Sequence, residues 1–170
     1  LHDAAGRPIL DYALDLCTEL GAETVVVIGY QAAAVQDACA STPGLGFAIQ
    51  EPQLGTGHAV QIALEAIPVD SALPVLVLAG DVPLLRAETL RSLCSLRESS
   101  SAAAALVSFR TSTPAAYGRV LRDGAGRVRG IVEARDATAE QLRLDEVNAS
   151  LYVFDGAKLR APIKDLHSNN

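Results

Sequence analysis

Two hydrophobic rhythms alternate along the first two thirds of the chain. Ile9, Leu10, Ala13, Leu14, Cys17 and Leu20 recur at helical spacing, which gathers them on one face of an α-helix. Pro8 suits the first turn of that helix and Gly21 its stop. The next segment, Thr24 to Ile28 (TVVVI), is short, β-branched and apolar throughout, the pattern of a strand buried on both faces. The same alternation predicts a helix over 31–40, a strand over 46–50, a helix over 57–66, a strand over 74–79, a helix over 87–98 with Leu90, Leu93 and Cys94 inward, and a strand over 103–110. The serine and alanine run at 99–105 is a turn feeding that last strand. Strands of this kind need helices on both sides, so the pattern predicts a doubly wound α/β core with a mostly parallel sheet.

From Tyr117 the pattern changes. Gly118-Arg119-Val120-Leu121, a Gly124-Ala125-Gly126 turn and Val128 to Glu133 predict an antiparallel hairpin. A short helix over 136–142, a strand over 146–154 and a closing helix over 157–166 complete the expected elements. There is no internal repeat and no linker long enough for a second domain, so the whole chain, 1–170, reads as one domain.

Composition narrows the function classes. With 49% hydrophobic and 20% charged residues the chain is globular. No run approaches the roughly 18 apolar residues of a membrane span, and the N-terminus lacks the basic-then-apolar order of a leader; no membrane partner and a cytoplasmic location are expected. A net charge of −6, with two lysines and twelve scattered arginines, argues against nucleic acid as a partner, because counterion release needs clustered cations. Cys17, Cys39 and Cys94 are odd in number, have no ligand spacing and sit in apolar settings, as expected of buried reduced thiols. Leu1 at the start and Ser168-Asn169-Asn170 at the end suit a piece of a larger protein.

Ligands of open α/β sheets bind at the carboxyl ends of strands, where loops and helix N-termini supply free N–H groups. Two motifs fall at such ends. In Gln50-Glu51-Pro52-Gln53-Leu54-Gly55-Thr56-Gly57-His58-Ala59 the glycines let backbone approach a base or phosphate, the amide of Gln50 or Gln53 reads a base edge, and Thr56 caps the helix; the alternative is a plain capped turn. In Leu78-Ala79-Gly80-Asp81-Val82-Pro83-Leu84 an apolar strand runs into a carboxylate. Asp81 is placed either to hold Mg²⁺, a hard cation that takes few protein oxygens, or to cap the next turn. Gly118, Glu133 and Asn148 are further candidates, each also explicable as a turn or strand-end residue. His58 reads as a polar helix-start residue rather than a base, and no Ser/His/Asp or Cys/His arrangement is present.

Taken in order, Q-x-x-Q-L-G-T-G-H-A, L-A-G-D-V-P-L, Y-G-R, G-I-V-E-x-x-D-A-T and E-x-N resemble the pyrophosphorylase domain of bacterial N-acetylglucosamine-1-phosphate uridyltransferases, over nearly the whole chain. The resemblance implies a Rossmann-like nucleotidyltransferase fold and a Mg²⁺-dependent reaction in which UTP and N-acetylglucosamine 1-phosphate give UDP-N-acetylglucosamine and pyrophosphate, a cell-wall precursor step. It implies that Gln50, Gly55 and Thr56 contact the uridine nucleotide, that Asp81 binds Mg²⁺ with Ala79 and Gly80 lining the site, and that Gly118, Glu133 and Asn148 contact the amino sugar. On that basis 1–110 is mainly the nucleotide-binding core and 111–170 mainly the sugar-binding part with its closing helix.

The family's first strand, its glycine-rich loop with the catalytic arginine, and a lysine that meets the triphosphate are expected upstream of Leu1. A second metal ligand is expected beyond Asn170, as is a trimer-forming acetyltransferase domain. These 170 residues alone are therefore expected to be inactive; Ala149-Ser150 stands where Thr or Ser followed by Gly is common in the family, and Ala79 where some members carry Tyr. The competing expectations are a related sugar-1-phosphate nucleotidyltransferase with another base or sugar, and a non-catalytic nucleotide-sugar binding module.

Overall fold

A computed structural model describes residues 2–68 and 73–165. It begins with a feature absent from the hydrophobic pattern, a tight hairpin of β1 (Asp3–Ala4) and β2 (Arg7–Pro8). Ala5 and Gly6 at its tip both have positive φ, 49° and 82°, the geometry of a two-residue turn that matches strand twist. The usual Asn-Gly signal is missing, so the sequence did not announce it. The core elements follow: α1 (Ile9–Glu19), β3 (Thr24–Ile28), α2 (Ala32–Ala38), β4 (Leu45–Ile49), α3 (Thr56–Glu65), β5 (Val75–Val77), α4 (Ala87–Ser99) and β6 (Ala104–Arg110). Then come β7 (Arg119–Arg122), β8 (Val128–Val132), β9 (Glu146–Phe154) and α5 (Gly156–Leu159).

The departures from the expected boundaries have local causes. The second helix starts one residue late because Gln31 sits in the left-handed region at φ 54°, outside any right-handed helix. The expected helix at 136–142 is only a 3₁₀ turn, Gln141–Arg143. Its entry is a reciprocal cap: the Thr138 N–H donates to Gln141 Oε1 at 2.8 Å and the Gln141 N–H to Thr138 Oγ1 at 3.2 Å. The closing helix is broken into α5 and a 3₁₀ turn, Pro162–Asp165, since proline cannot continue the ladder. Its expected end at Leu166 lies outside the described residues.

β3 and β4 pair in parallel, Val26 opposite Phe47. The second sheet is organised by β9, which carries β5 along part of one edge and β6 on the other: Phe154 lies opposite both Val75 and Ala104, and Tyr152 opposite both Val77 and Leu106. Both flanking strands are antiparallel to β9, so β5 and β6 run the same way with a reversed strand between them. Further along β9, Val147 pairs with Arg119 of β7, and β7 pairs with β8.

The two sheets are joined through α3. Leu64 packs with Leu159 and Ile163, and Val60, Ile67, Val75 and Phe154 close around them. Arg160 donates to the carbonyls of Leu64 (3.3 Å), Ile67 (3.4 Å) and Pro68 (2.6 Å), satisfying groups that the end of α3 leaves unpaired. α3 thus links the end of β4 to the approach to β5, with Leu64 near its end packed beside Val75. Leu10, at the start of α1, reaches the turn after β5: its Cδ1 lies 3.3 Å from where a Cβ on Gly80 would be.

Candidate active site

The first part of the site is the turn leaving β4. Ile28 O accepts the Gln50 N–H at 2.7 Å, so Gln50 stays registered against β3 after the strand ends. Gly55 has φ 97° and ψ 178°, a region open essentially to glycine alone. The Gln50 side chain crosses the turn: its Nε2 donates to Gly55 O at 2.8 Å and lies 3.2 Å from His58 Nδ1. Thr56 does not cap α3, as expected of it; it is the first helical residue, exposed, and the N-cap is Gly55 with no side-chain bond. The Thr56 hydroxyl therefore faces solvent beside the first-turn N–H groups, free to meet an anion.

The second part is the exit from β5. Ala79 is half-buried, while Gly80 and Asp81 are exposed in the turn that follows. Among the described residues no cluster of three or more histidine, cysteine, aspartate or glutamate side chains gathers there. One open carboxylate suits a Mg²⁺ ion that completes its shell with phosphate oxygens and water, and does not suit a closed cage.

The third part is a row across three strands. Arg119 lies opposite Val132 on one side and Val147 on the other, which puts Gly118 between Glu133 and Asn148. Gly118 O accepts the Asn148 N–H at 2.9 Å, and a Cβ on Gly118 would be 3.3 Å from Glu133 Oε1. Residues directly opposite in antiparallel strands project to the same face, so the glycine forms a notch with a carboxylate on one side and a carboxamide on the other. The carboxylate can only accept, whereas the carboxamide carries both an acceptor and a donor. Asn148 is 5% exposed; its Nδ2 donates to the Tyr152 hydroxyl and its Oδ1 accepts the Ser150 N–H at 3.2 Å. This second bond closes over the irregular step in β9, where Ser150 has φ 57°.

The structure brings Gly118, Glu133 and Asn148 into contact and brings Gln50 and Gly55 into contact. The turn after β4 opens α3, and Asp81 follows β5, the next strand in the chain. The row lies toward the exit of β5, because β5, once past Val77 opposite Tyr152, heads along β9 toward Asn148.

Beneath the row, Glu146 anchors the start of β9. Its carboxylate accepts from Arg122 Nε (2.8 Å) and Nη2 (2.6 Å) and from Ser108 Oγ (2.6 Å). The Arg122 bonds, with Ser108 and the charge of Arg110 adding to them, hold its pKa down to about 2. Because the folded pKa lies below the unfolded one, this group stabilises the fold above about pH 4.5, and the contribution is lost as pH falls toward 2. E146Q is expected to cost about 2 kcal/mol at pH 7, the scale of a charged hydrogen bond beside a part-exposed arginine. Urea denaturation of wild type and E146Q at pH 7 and pH 3 checks this: the gap narrows on acidification.

Residues 1–147 match the family model described as a MobA-like NTP transferase domain. The chain belongs to that family. This MobA-like NTP transferase domain is 43% identical to the Bifunctional protein GlmU of Trichlorobacter lovleyi over 171 aligned residues, covering 100% of this chain and 37% of the relative. It is 47% identical to the Bifunctional protein GlmU of Alkalilimnicola ehrlichii, covering 100% of this chain and 36% of that one. The chain thus spans little more than a third of the length of these relatives. Its fold is that of a UDP-glucose pyrophosphorylase solved with UDP-glucose, with a TM-score of 0.68 at 15% identity, over 96% of this chain and 70% of the other. It is a nucleotidyltransferase domain of the Rossmann-like class, and no helix among its described residues is long and apolar enough to cross a membrane.

Three residues of the transferase domain escaped the sequence reading. Gly29, just past β3, lies under the Gln53 side chain; a Cβ there would fall 2.1 Å from Gln53 Nε2 and 3.2 Å from Gln50 O. Its signal was a glycine directly after an apolar strand, the same sign that drew attention to Gly80. Arg119 is 3% exposed and donates to the backbone carbonyls of Tyr117 and, at 3.2 Å, Ala115. It ties down the loop that delivers Gly118. His58 was read as a polar helix-start residue, and its contact with Gln50 spans a turn whose path the residue types do not specify. The cysteines are free thiols, Cys39 buried and Cys17 and Cys94 half-buried, and burial pushes all three above the ordinary thiol value.

Proposed function

We propose that the complete protein to which this domain belongs transfers a uridylyl group from UTP to N-acetylglucosamine 1-phosphate, giving UDP-N-acetylglucosamine and pyrophosphate. The observation that carries the sugar half of this reading is the Glu133–Gly118–Asn148 notch. Relatives bearing the name Bifunctional protein GlmU at 43% and 47% identity support the pairing of nucleotide and amino sugar. In this reading residues 1–110 serve mainly the nucleotide and residues 111–170 mainly the sugar.

The chemistry needs placement and charge neutralisation rather than a covalent nucleophile. An oxygen of the sugar phosphate forms a bond to the α-phosphorus of UTP, the bridge from that phosphorus to the β-phosphate breaks, and pyrophosphate leaves. Gln50 and the Gly55 backbone hold the base, and Thr56 at the start of α3 sits beside the ribose or phosphates. Glu133 accepts from sugar hydroxyls, Asn148 holds the acetamido group, and Gly118 leaves room for the ring. Asp81, with Ala79 and Gly80 shaping the turn beside it, is the residue that would hold Mg²⁺, whose charge neutralises phosphate oxygens when bound.

The test is pyrophosphate release by the complete protein, with UTP, dTTP, CTP and ATP each paired with N-acetylglucosamine 1-phosphate, glucosamine 1-phosphate and glucose 1-phosphate. UTP with N-acetylglucosamine 1-phosphate is expected to give the highest kcat/KM. A preference for another base, or for glucosamine 1-phosphate or glucose 1-phosphate, overturns the assignment.

A further inference from the structure

The Gln50 carboxamide is held by two acceptors at once. Gly55 O, 2.8 Å from Nε2, has no hydrogen to give and can only accept, so the amide nitrogen must face it. The second N–H of the same nitrogen then points at His58 Nδ1, 3.2 Å away. An amide nitrogen can only donate, so His58 Nδ1 takes the acceptor's part in this contact. Both hydrogens of the amide are thereby committed within the turn. Gln50 Oε1 is left with no donor among the described residues, and it is the amide atom that remains to meet a ligand.

We propose that His58 is a positioning residue for base selection: by accepting from Gln50 it fixes the carboxamide with its oxygen outward, so that the turn receives a base edge presenting a ring N–H and refuses one presenting a ring lone pair. The proposal rests on the nucleotide reading of this turn given above. Uracil carries a hydrogen on N3, whereas cytosine carries a lone pair there, so the fixed oxygen attracts the first and repels the second. A site that leaves a polar group facing the wrong partner discriminates far more strongly than one that only loses a contact. With His58 unable to accept, the carboxamide keeps only its bond to Gly55 O, so turning a donor toward cytosine N3 sacrifices one hydrogen bond instead of two.

The experiment is the ratio of kcat/KM for UTP to that for CTP, with N-acetylglucosamine 1-phosphate, in the complete wild-type protein, H58F and H58N. The ratio is independent of how much of each preparation is folded, so a partly unstable variant still reports. Phenylalanine keeps the ring and removes the acceptor, and the ratio is expected to fall about fivefold, the worth of one neutral hydrogen bond. Asparagine places an oxygen near the Nδ1 position, and the ratio is expected to return to within about twofold of wild type, less than half the energy of such a bond. If wild type prefers UTP and H58F keeps the full ratio, or if H58N fails to restore it, His58 does not position the amide and the proposal falls alone. If wild type itself does not prefer UTP to CTP, the nucleotide reading falls and the proposal with it.

Discussion

D81N in the complete protein is expected to lower kcat for uridylyl transfer on the order of 10²- to 10³-fold, the scale of losing one group that stabilises transition-state charge. The size follows from position. β5 is only three residues long, Val75 to Val77, and the chain passes through Ala79 and Gly80 before the carboxylate emerges exposed. Asparagine keeps the shape and an oxygen while removing the charge. Since Asp81 is exposed and forms no ion pair among the described residues, the melting temperature is expected to stay within about 2 °C, as for an ordinary surface substitution. The check is a Mg²⁺ titration of initial rate for both proteins: the variant should need more metal and plateau far lower. A plateau within threefold of wild type removes Asp81 from the metal site.

Much of the fold was legible because its signals are one-dimensional. TVVVI is a strand wherever it is placed, and the apolar stripe from Ile9 to Leu20 makes a helix without help from distant residues. The order of strands in the sheet is a different kind of fact. The residues of β9 announce a strand, yet nothing in Glu146 to Phe154 says that it runs antiparallel between β5 and β6. That arrangement is set by burial on both edges, a property of the assembled chain. The site divides the same way. Gly55 was visible because two glycines flank Thr56, and its φ 97° with ψ 178° is the conformation that calls for glycine; Asp81 was visible because a charge just after an apolar strand is conspicuous. His58 and Arg119 act through contacts made only after the turn and the loop have closed, and a lone histidine or arginine carries no sign of its partner.

Gly118 offers the sharpest separation of sugar from nucleotide. G118A is expected to raise KM for N-acetylglucosamine 1-phosphate roughly 10- to 200-fold, the effect of one misplaced methyl in a fitted pocket, while KM for UTP moves less than about twofold, under half the energy of one neutral hydrogen bond. The new methyl would stand 2.9 Å from Ile131 Cγ2 and 3.3 Å from Glu133 Oε1, so both neighbours must yield. The backbone has little room to help, because Gly118 is bonded to Asn148 through its carbonyl at 2.9 Å and is followed by Arg119, locked between β8 and β9. What gives is therefore the Glu133 side chain, the part of the notch that meets the sugar. Overpacking of this kind also costs about 1–3 kcal/mol of stability, so the kinetic comparison is made well below the melting temperature of the variant. Stability loss alone lowers the active fraction and depresses apparent kcat for both substrates without separating their KM values. An equal rise in KM for UTP and for the sugar phosphate would place Gly118 in the general architecture of the sheet and take the amino-sugar notch out of the mechanism.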